Sequence, residues 1–167
     1  MLTKETTYTK DAANNRMKAE RVFEAPLQEV WKAWTQSDVL DEWWAPKPWK
    51  ANTQSMDFRE GGSWLYYMQG PDGSRHYCRV DYKTIVPNQS FSGIDAFCDE
   101  NGKMNTDLPR TNWKVEFSNV DNATKVNVEL TFDSAADMEK LIEMGFKEGF
   151  AMAHTNLDGI LADKKQE

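Results

Sequence analysis

Cysteine, histidine and positive charge are scarce in this sequence, and each scarcity closes off a class of function. The 167 residues hold two cysteines and two histidines. Cys78 and Cys98 make no disulfide framework, so two reduced, partly buried thiols are expected. A zinc site draws on three or four Cys, His or carboxylate ligands, commonly paired at short spacing, and neither Cys-x-x-Cys nor His-x-x-x-His occurs. His76 and Cys78, two apart on one strand face, make at most half a site, and no metal or other cofactor is expected. Nucleophilic catalysis is equally short of material: His76 follows a turn, His154 sits between Ala153 and Thr155 in a helical stretch, and no G-x-S-x-G elbow is present. Gly61-Gly62 lacks the following Lys-Ser/Thr and the helix of a phosphate loop.

With 20 Lys+Arg against 27 Asp+Glu, the net charge is −7 and no basic stripe stands out. Such a surface repels phosphate, which argues against a nucleic-acid partner. No apolar run approaches the ~20 residues of a membrane span, and the first ten residues lack the apolar core of a signal peptide. A cytoplasmic protein without a membrane role is expected, monomeric or a homodimer. Its length fits one domain spanning 1–167, with structure expected over about 6–162.

Bulky apolar side chains are what the sequence has in quantity: seven Trp, five Tyr, eight Phe and eight Met. Each buried aromatic removes ~150–250 Å² from water, so these residues either fill a core or wall a pocket.

Periodicity along the chain predicts an α+β order. Residues 6–10 and 16–24 read as strands around a turn at Asn14-Asn15. Pro26 opens a short helix carrying Leu27, Val30, Trp31 and Trp34, and Ser37-Asp38 offers a cap to a second one carrying Val39, Leu40, Trp43 and Trp44. From residue 51 to residue 133 the period drops to two, and turn chemistry at Gly61-Gly62, Gly70-Pro71-Asp72-Gly73, Pro87-Asn88, Asn101-Gly102 and Asp121-Asn122 leaves room for up to six more strands. Trp64, Tyr66 and Met68 share one face; Trp113, Val115 and Phe117, then Val126, Val128, Leu130 and Phe132, alternate with polar residues, so one face is greasy and the other wet. A one-sided sheet needs a cover, and a helix from about Ala135 to Ala162, ~40 Å long, supplies it. Gly145 and Gly149 fall on one side of that helix, where each costs ~1 kcal/mol against alanine. Two readings stay open: they admit a neighbouring strand backbone, or they hollow the helix face over a cavity.

Several strings in this order resemble the START-related SRPBCC superfamily, and within it proteins similar to the activator of the heat-shock-protein-90 ATPase. Arg21-Val-Phe-Glu-Ala-Pro26 with Val30-Trp31-Lys-Ala-Trp34-Thr35, Leu40-Asp-Glu-Trp43-Trp44-Ala-Pro46, Asp57-Phe-Arg59-Glu-Gly61-Gly62, Met68 before Gly70-Pro71-Asp72-Gly73, Ile85-Val86-Pro87 and 149–161 carry the likeness. The resemblance implies a helix-grip fold: a curved antiparallel sheet of about six to seven strands around a long C-terminal helix, with two short helices after the first main strand. It also implies a cavity for lipid, sterol, polyketide or other apolar ligands, or a chaperone-associated module.

The residues expected at such a cavity are Trp43, Trp44, Trp64, Tyr66, Met68, Tyr82, Asp95, Phe97, Trp113, Phe146, Gly149 and Phe150, with Tyr66, Tyr77 and Tyr82 as sources of orienting hydroxyls. Asp95 enters it if strand parity holds from Phe91 and turns to water if Gly93 marks a bulge. Arg21 and Asp57 are candidates for an interior ion pair, structural rather than catalytic. Two functions follow, binding of a small apolar ligand and a partner-binding module using exposed Trp44 and Trp49; the resemblance alone adds a third, a cyclase or dehydratase with Asp95, Tyr66 or Arg21 as acid-base groups.

Overall fold

A computed structural model of the chain describes residues 5–165. Eight strands form one antiparallel sheet in the order β1-β2-β8-β7-β6-β5-β4-β3. They are β1 (Thr7–Asp11), β2 (Arg16–Phe23), β3 (Lys50–Met56), β4 (Ser63–Gln69), β5 (Arg75–Val86), β6 (Ser90–Cys98), β7 (Thr111–Val120) and β8 (Ala123–Phe132). The fold class is the expected one with slightly more strands. Asn15 and Asn122 both take positive φ at the turns that join β1 to β2 and β7 to β8, a conformation asparagine tolerates better than most residues.

Two short helices, α1 (Leu27–Thr35) and α2 (Ser37–Trp43), follow β2. Pro26 stands at the position just before α1, one residue ahead of the first turn expected for it and with no side-chain cap bond, whereas Ser37 lies inside α2 and the cap position is Gln36. Thr35 turns its hydroxyl back onto the Trp31 carbonyl at 2.8 Å, where the first helix ends.

A long C-terminal helix is present, but the uninterrupted one expected from about Ala135 to Ala162 is corrected by the structure. It is two helices, α3 (Ala135–Glu143) and α4 (Phe146–Lys165), parted at Met144-Gly145, where Gly145 has φ +92°. The Gly145 N–H reaches the Ile142 carbonyl at 3.0 Å, so the left-handed glycine closes α3. Ser134 caps that helix, its hydroxyl accepting from the Asp137 N–H at 3.1 Å.

Register fixes which side chains face the helices. Tyr66 pairs with Cys78, Cys78 with Phe97, Asp95 with Thr111, and Trp113 with Leu130, so one concave row runs across five strands. A bulge does occur beside Gly93, but on β5 between Tyr82 and Thr84, which leaves the parity of β6 intact. Gly93 is required there because a Cβ would stand 2.7 Å from the Asp81 carbonyl oxygen. Asp95 therefore lies on the concave side.

Candidate functional site

The aromatic residues divide into a packed nest and an open wall. Trp34, Trp43, Phe23, Phe150 and His154 form the nest between α1, α2 and α4; Trp34 lies 4.9 Å from Trp43 and Phe150 lies 4.1 Å from His154 between ring centroids. Trp43 is fully buried and donates its indole N–H to the Ala33 carbonyl at 2.9 Å, so it belongs to the core and not to the cavity. Trp64 stacks on Tyr66 at 4.0 Å and donates to the Thr53 hydroxyl, and Tyr82 packs against Phe58 at 4.8 Å. Those two touch only a small void of about 30 Å³ behind Asp95.

The other nine expected residues surround one half-open cavity of about 390 Å³ between the sheet and the α3–α4 junction. Trp44 comes from the end of α2, Tyr66 and Met68 from β4, Asp95 and Phe97 from β6, Trp113 from β7, and Phe146, Gly149 and Phe150 from α4. Trp44 bridges the two groups: its N–H donates to the Tyr66 hydroxyl at 2.9 Å and its ring meets Trp113 at 5.7 Å. Gly149 faces Pro46, whose Cγ stands 3.5 Å from where a Cβ would sit. Neither open reading of that glycine is fully met: no strand backbone approaches it, and a proline ring stands opposite.

The sequence reading left out several wall residues. Pro46, Trp49, His76, Cys78, Pro109 and Met144 all line the cavity, with Met144 and His76 exposed at its mouth and Trp49 set edge-on to His76 at 5.1 Å. Trp49 and His76 come from opposite sides of the β3–β4 hairpin, and sequence gives no distance between them. Tyr77, expected to offer a hydroxyl, pairs with Tyr67 at 5.3 Å on the other face of the sheet.

Electrostatics set Asp95 apart from the rest of the wall. Burial pushes its carboxyl up from 3.8 to about 7, partly offset by the Ala96 backbone N–H. The same burial, with the Asp95 charge adding to it, holds the Tyr66 and Tyr82 hydroxyls and the Cys78 thiol in their neutral forms, well above their ordinary ranges. Cys78 is consequently a poor nucleophile. Among the described residues, no three metal-ligating groups cluster, and no helix is long and apolar enough to cross a membrane.

Arg21 and Asp57 do not meet. Arg21, 5% exposed, pairs with Asp158 on α4, whereas Asp57 holds Arg59 at the surface at 2.6 Å. Arg21 also lies 3.4 Å from the Thr6 hydroxyl, which is 2.6 Å from His154 Nδ1. Burial, helped by Arg21, drives the His154 imidazole down to about 3, so it is neutral in the fold. This buried chain ties β2 and the segment before β1 to α4, apart from the cavity. Of the acid-base candidates, Arg21 is therefore held away from the cavity, whereas Asp95 and Tyr66 line it together.

A curved antiparallel sheet closed by a C-terminal helix over an aromatic cavity defines the helix-grip class of the SRPBCC superfamily. Residues 24–162 match the family model described as activator of Hsp90 ATPase homolog 1-like protein, and the chain belongs to that family. Among solved structures, it is similar to protein Ms6760 from Mycobacterium smegmatis, at 29% identity over 94% of this chain and 96% of that one, with a TM-score of 0.87. It is also similar to a protein from Arthrobacter aurescens, at 30% identity over 94% and 91%, with a TM-score of 0.88. A Staphylococcus epidermidis protein at 24% identity over 95% and 94%, TM-score 0.83, shares the fold. Among curated proteins, none matches the chain.

Proposed function

We propose that this protein binds a small, largely apolar ligand in the cavity between its sheet and the α3–α4 junction. The observation that carries the reading is the wall itself: about 390 Å³ bounded mainly by indole, phenyl and thioether groups, with Asp95 the one carboxyl among the described residues that line it. Small-molecule sites run to ~300–1,000 Å³ and combine an apolar lining with a few polar groups, and this wall has that composition. A solid core of the same residues would close the space, because interiors pack to the density of organic crystals.

Intrinsic tryptophan fluorescence is the direct test, because Trp44, Trp49 and Trp113 all face the cavity. A panel of apolar and amphipathic compounds should include members that change the emission saturably. Gly149→Leu, which extends a side chain from α4 toward Pro46, should weaken that response while the protein stays folded. A response that no panel member saturates, or that Gly149→Leu leaves untouched, refutes the cavity as the site.

Family membership supports a second reading, a chaperone-associated interaction module. Trp44 and Trp49, expected as its exposed contacts, are half-buried in the cavity wall, so that surface is smaller than the sequence implied. Pull-down from cytosolic lysate with the wild-type protein and Trp49→Ala tests it; recovery of no specific partner at low salt retires it.

A further inference from the structure

The polar content of the cavity wall is lopsided, and the imbalance says what kind of head group it accepts. Among the described residues no Lys or Arg lines the cavity and no cationic side chain is ion-paired with Asp95. The Tyr66 hydroxyl already accepts the Trp44 N–H at 2.9 Å. What remains facing the space is a carboxyl beside Thr111, ringed by the π faces and edges of Trp44, Tyr66, Trp113 and Phe150.

A carboxylate among aromatic rings is the donor set that recognises an organic cation, by ion pairing and by cation–π attraction that strengthens as water is excluded. An anionic head group seated there meets the opposite: a like charge with no Lys or Arg beside it, in a place where an uncompensated charge is expensive. The net charge of −7 adds a long-range bias toward cations.

We propose that the ligand bound in this cavity is a cationic amphiphile, with a protonated amine seated on Asp95 between Trp44, Tyr66 and Trp113 and an apolar body lying against Phe146 and Phe150. The inference rests on the cavity being the binding site. Seating an ammonium on Asp95 requires the carboxylate form, so binding displaces the proton that the buried acid otherwise keeps. Affinity for an amine therefore rises with pH through the range in which free Asp95 titrates, and then levels off. The titratable groups on the concave side with Asp95 are Tyr66 from β4 and Cys78 and Tyr82 from β5, while Cys98 lies on the opposite face of β6; all four are raised above their ordinary values and stay neutral in that range. β7 presents Thr111 and Trp113, α2 presents Trp44 and α4 presents Phe150, none of which titrates; His76 stands at the mouth.

Isothermal titration with decylamine, decanol and decanoate, which share one apolar body, separates this inference from the reading beneath it. At about pH 7.5, decylamine should bind about tenfold or more tighter than decanol, with decanoate weakest. Asp95→Asn should abolish the amine's advantage and leave decanol binding in place. If Asp95→Asn does not fold, the wild-type protein still decides the matter: decylamine affinity must fall several-fold between about pH 7.5 and about pH 5.5 while decanol affinity holds. Decanol binding as tightly as decylamine, an amine preference that survives in Asp95→Asn, or a flat pH profile for decylamine overturns the amine and leaves the cavity reading standing. Failure of all three probes overturns both.

Discussion

Asp95 and His154 pull the stability of this fold in opposite directions across the acid range, and Asp95→Asn and His154→Asn made separately should uncouple them. The Asp95 carboxyl sits at about 7 in the fold against an ordinary 3.8, so the native state favours its protonated form. Its contribution is complete below about pH 4 and is lost as pH rises toward 7. The His154 imidazole sits at about 3 against an ordinary 6.5, so the native state favours its neutral form. That contribution is complete above about pH 6.5 and is lost as pH falls toward 3. Each group has a slope of about 1.4 kcal/mol per pH unit, and between about pH 4 and about pH 6.5 the two slopes have opposite sign and nearly cancel. Urea unfolding at half-unit pH steps reads the difference between each variant and the wild-type protein. Relative to wild type, Asp95→Asn should gain stability as pH rises through this window, and His154→Asn should gain as pH falls through it. Each change should total a few kcal/mol over its full range. A flat difference curve for Asp95→Asn would mean that the carboxyl ionises as it does in water, which is incompatible with a dry cavity wall. A reversed slope for His154→Asn would mean that the imidazole carries its proton inside the fold.

The two glycines of the helical cover should respond to alanine with opposite signs. Gly149→Ala places a methyl in ordinary contact with Pro46 and gains ~0.5–1 kcal/mol of helix propensity, raising the melting temperature by about 2–4 °C, whereas Gly145→Ala at φ +92° costs ~1–2 kcal/mol although no atom lies within 4 Å. Thermal melts check both, and a destabilised Gly149→Ala would show that Pro46 cannot give way. Asp158→Asn removes the charged partner of nearly buried Arg21 and should cost about 2 kcal/mol in urea unfolding, with no loss of cavity binding; retention of full stability would show the pair to be unimportant.

The sheet was legible in the sequence because alternation is a local signal. Trp113, Val115 and Phe117 against Lys114 and Glu116 announce a half-wet strand without knowledge of any neighbour. Parity alone leaves Asp95 open between cavity and water; its concave position depends on the bulge lying on the partner strand, an event the sequence of β6 does not encode. The break at Gly145 was hidden because Leu141, Ile142, Phe146 and Phe150 keep a helical spacing across it, and only backbone geometry separates a helix interior from a left-handed stop. Arg21 was recognised as a buried charge, but its partner lies on α4, 137 positions away, and parity assigns a face without assigning a neighbour. Trp43 and Trp44 are adjacent in sequence, yet one closes the core and the other opens on the cavity, a division made by the last turn of α2.

The position of α4 in the chain also bears on how the protein is made. Its Phe150, His154 and Leu157 complete the nest around Trp34 and Trp43, so the aromatic face of the sheet is translated in full before its cover. At ~5–20 residues per second, synthesis from the end of β8 to the middle of α4 lasts on the order of a few seconds. Until then Trp64, Tyr66, Phe91 and Trp113 lack the part of their cover that α4 supplies, and apolar surface exposed in this way during folding is aggregation-prone.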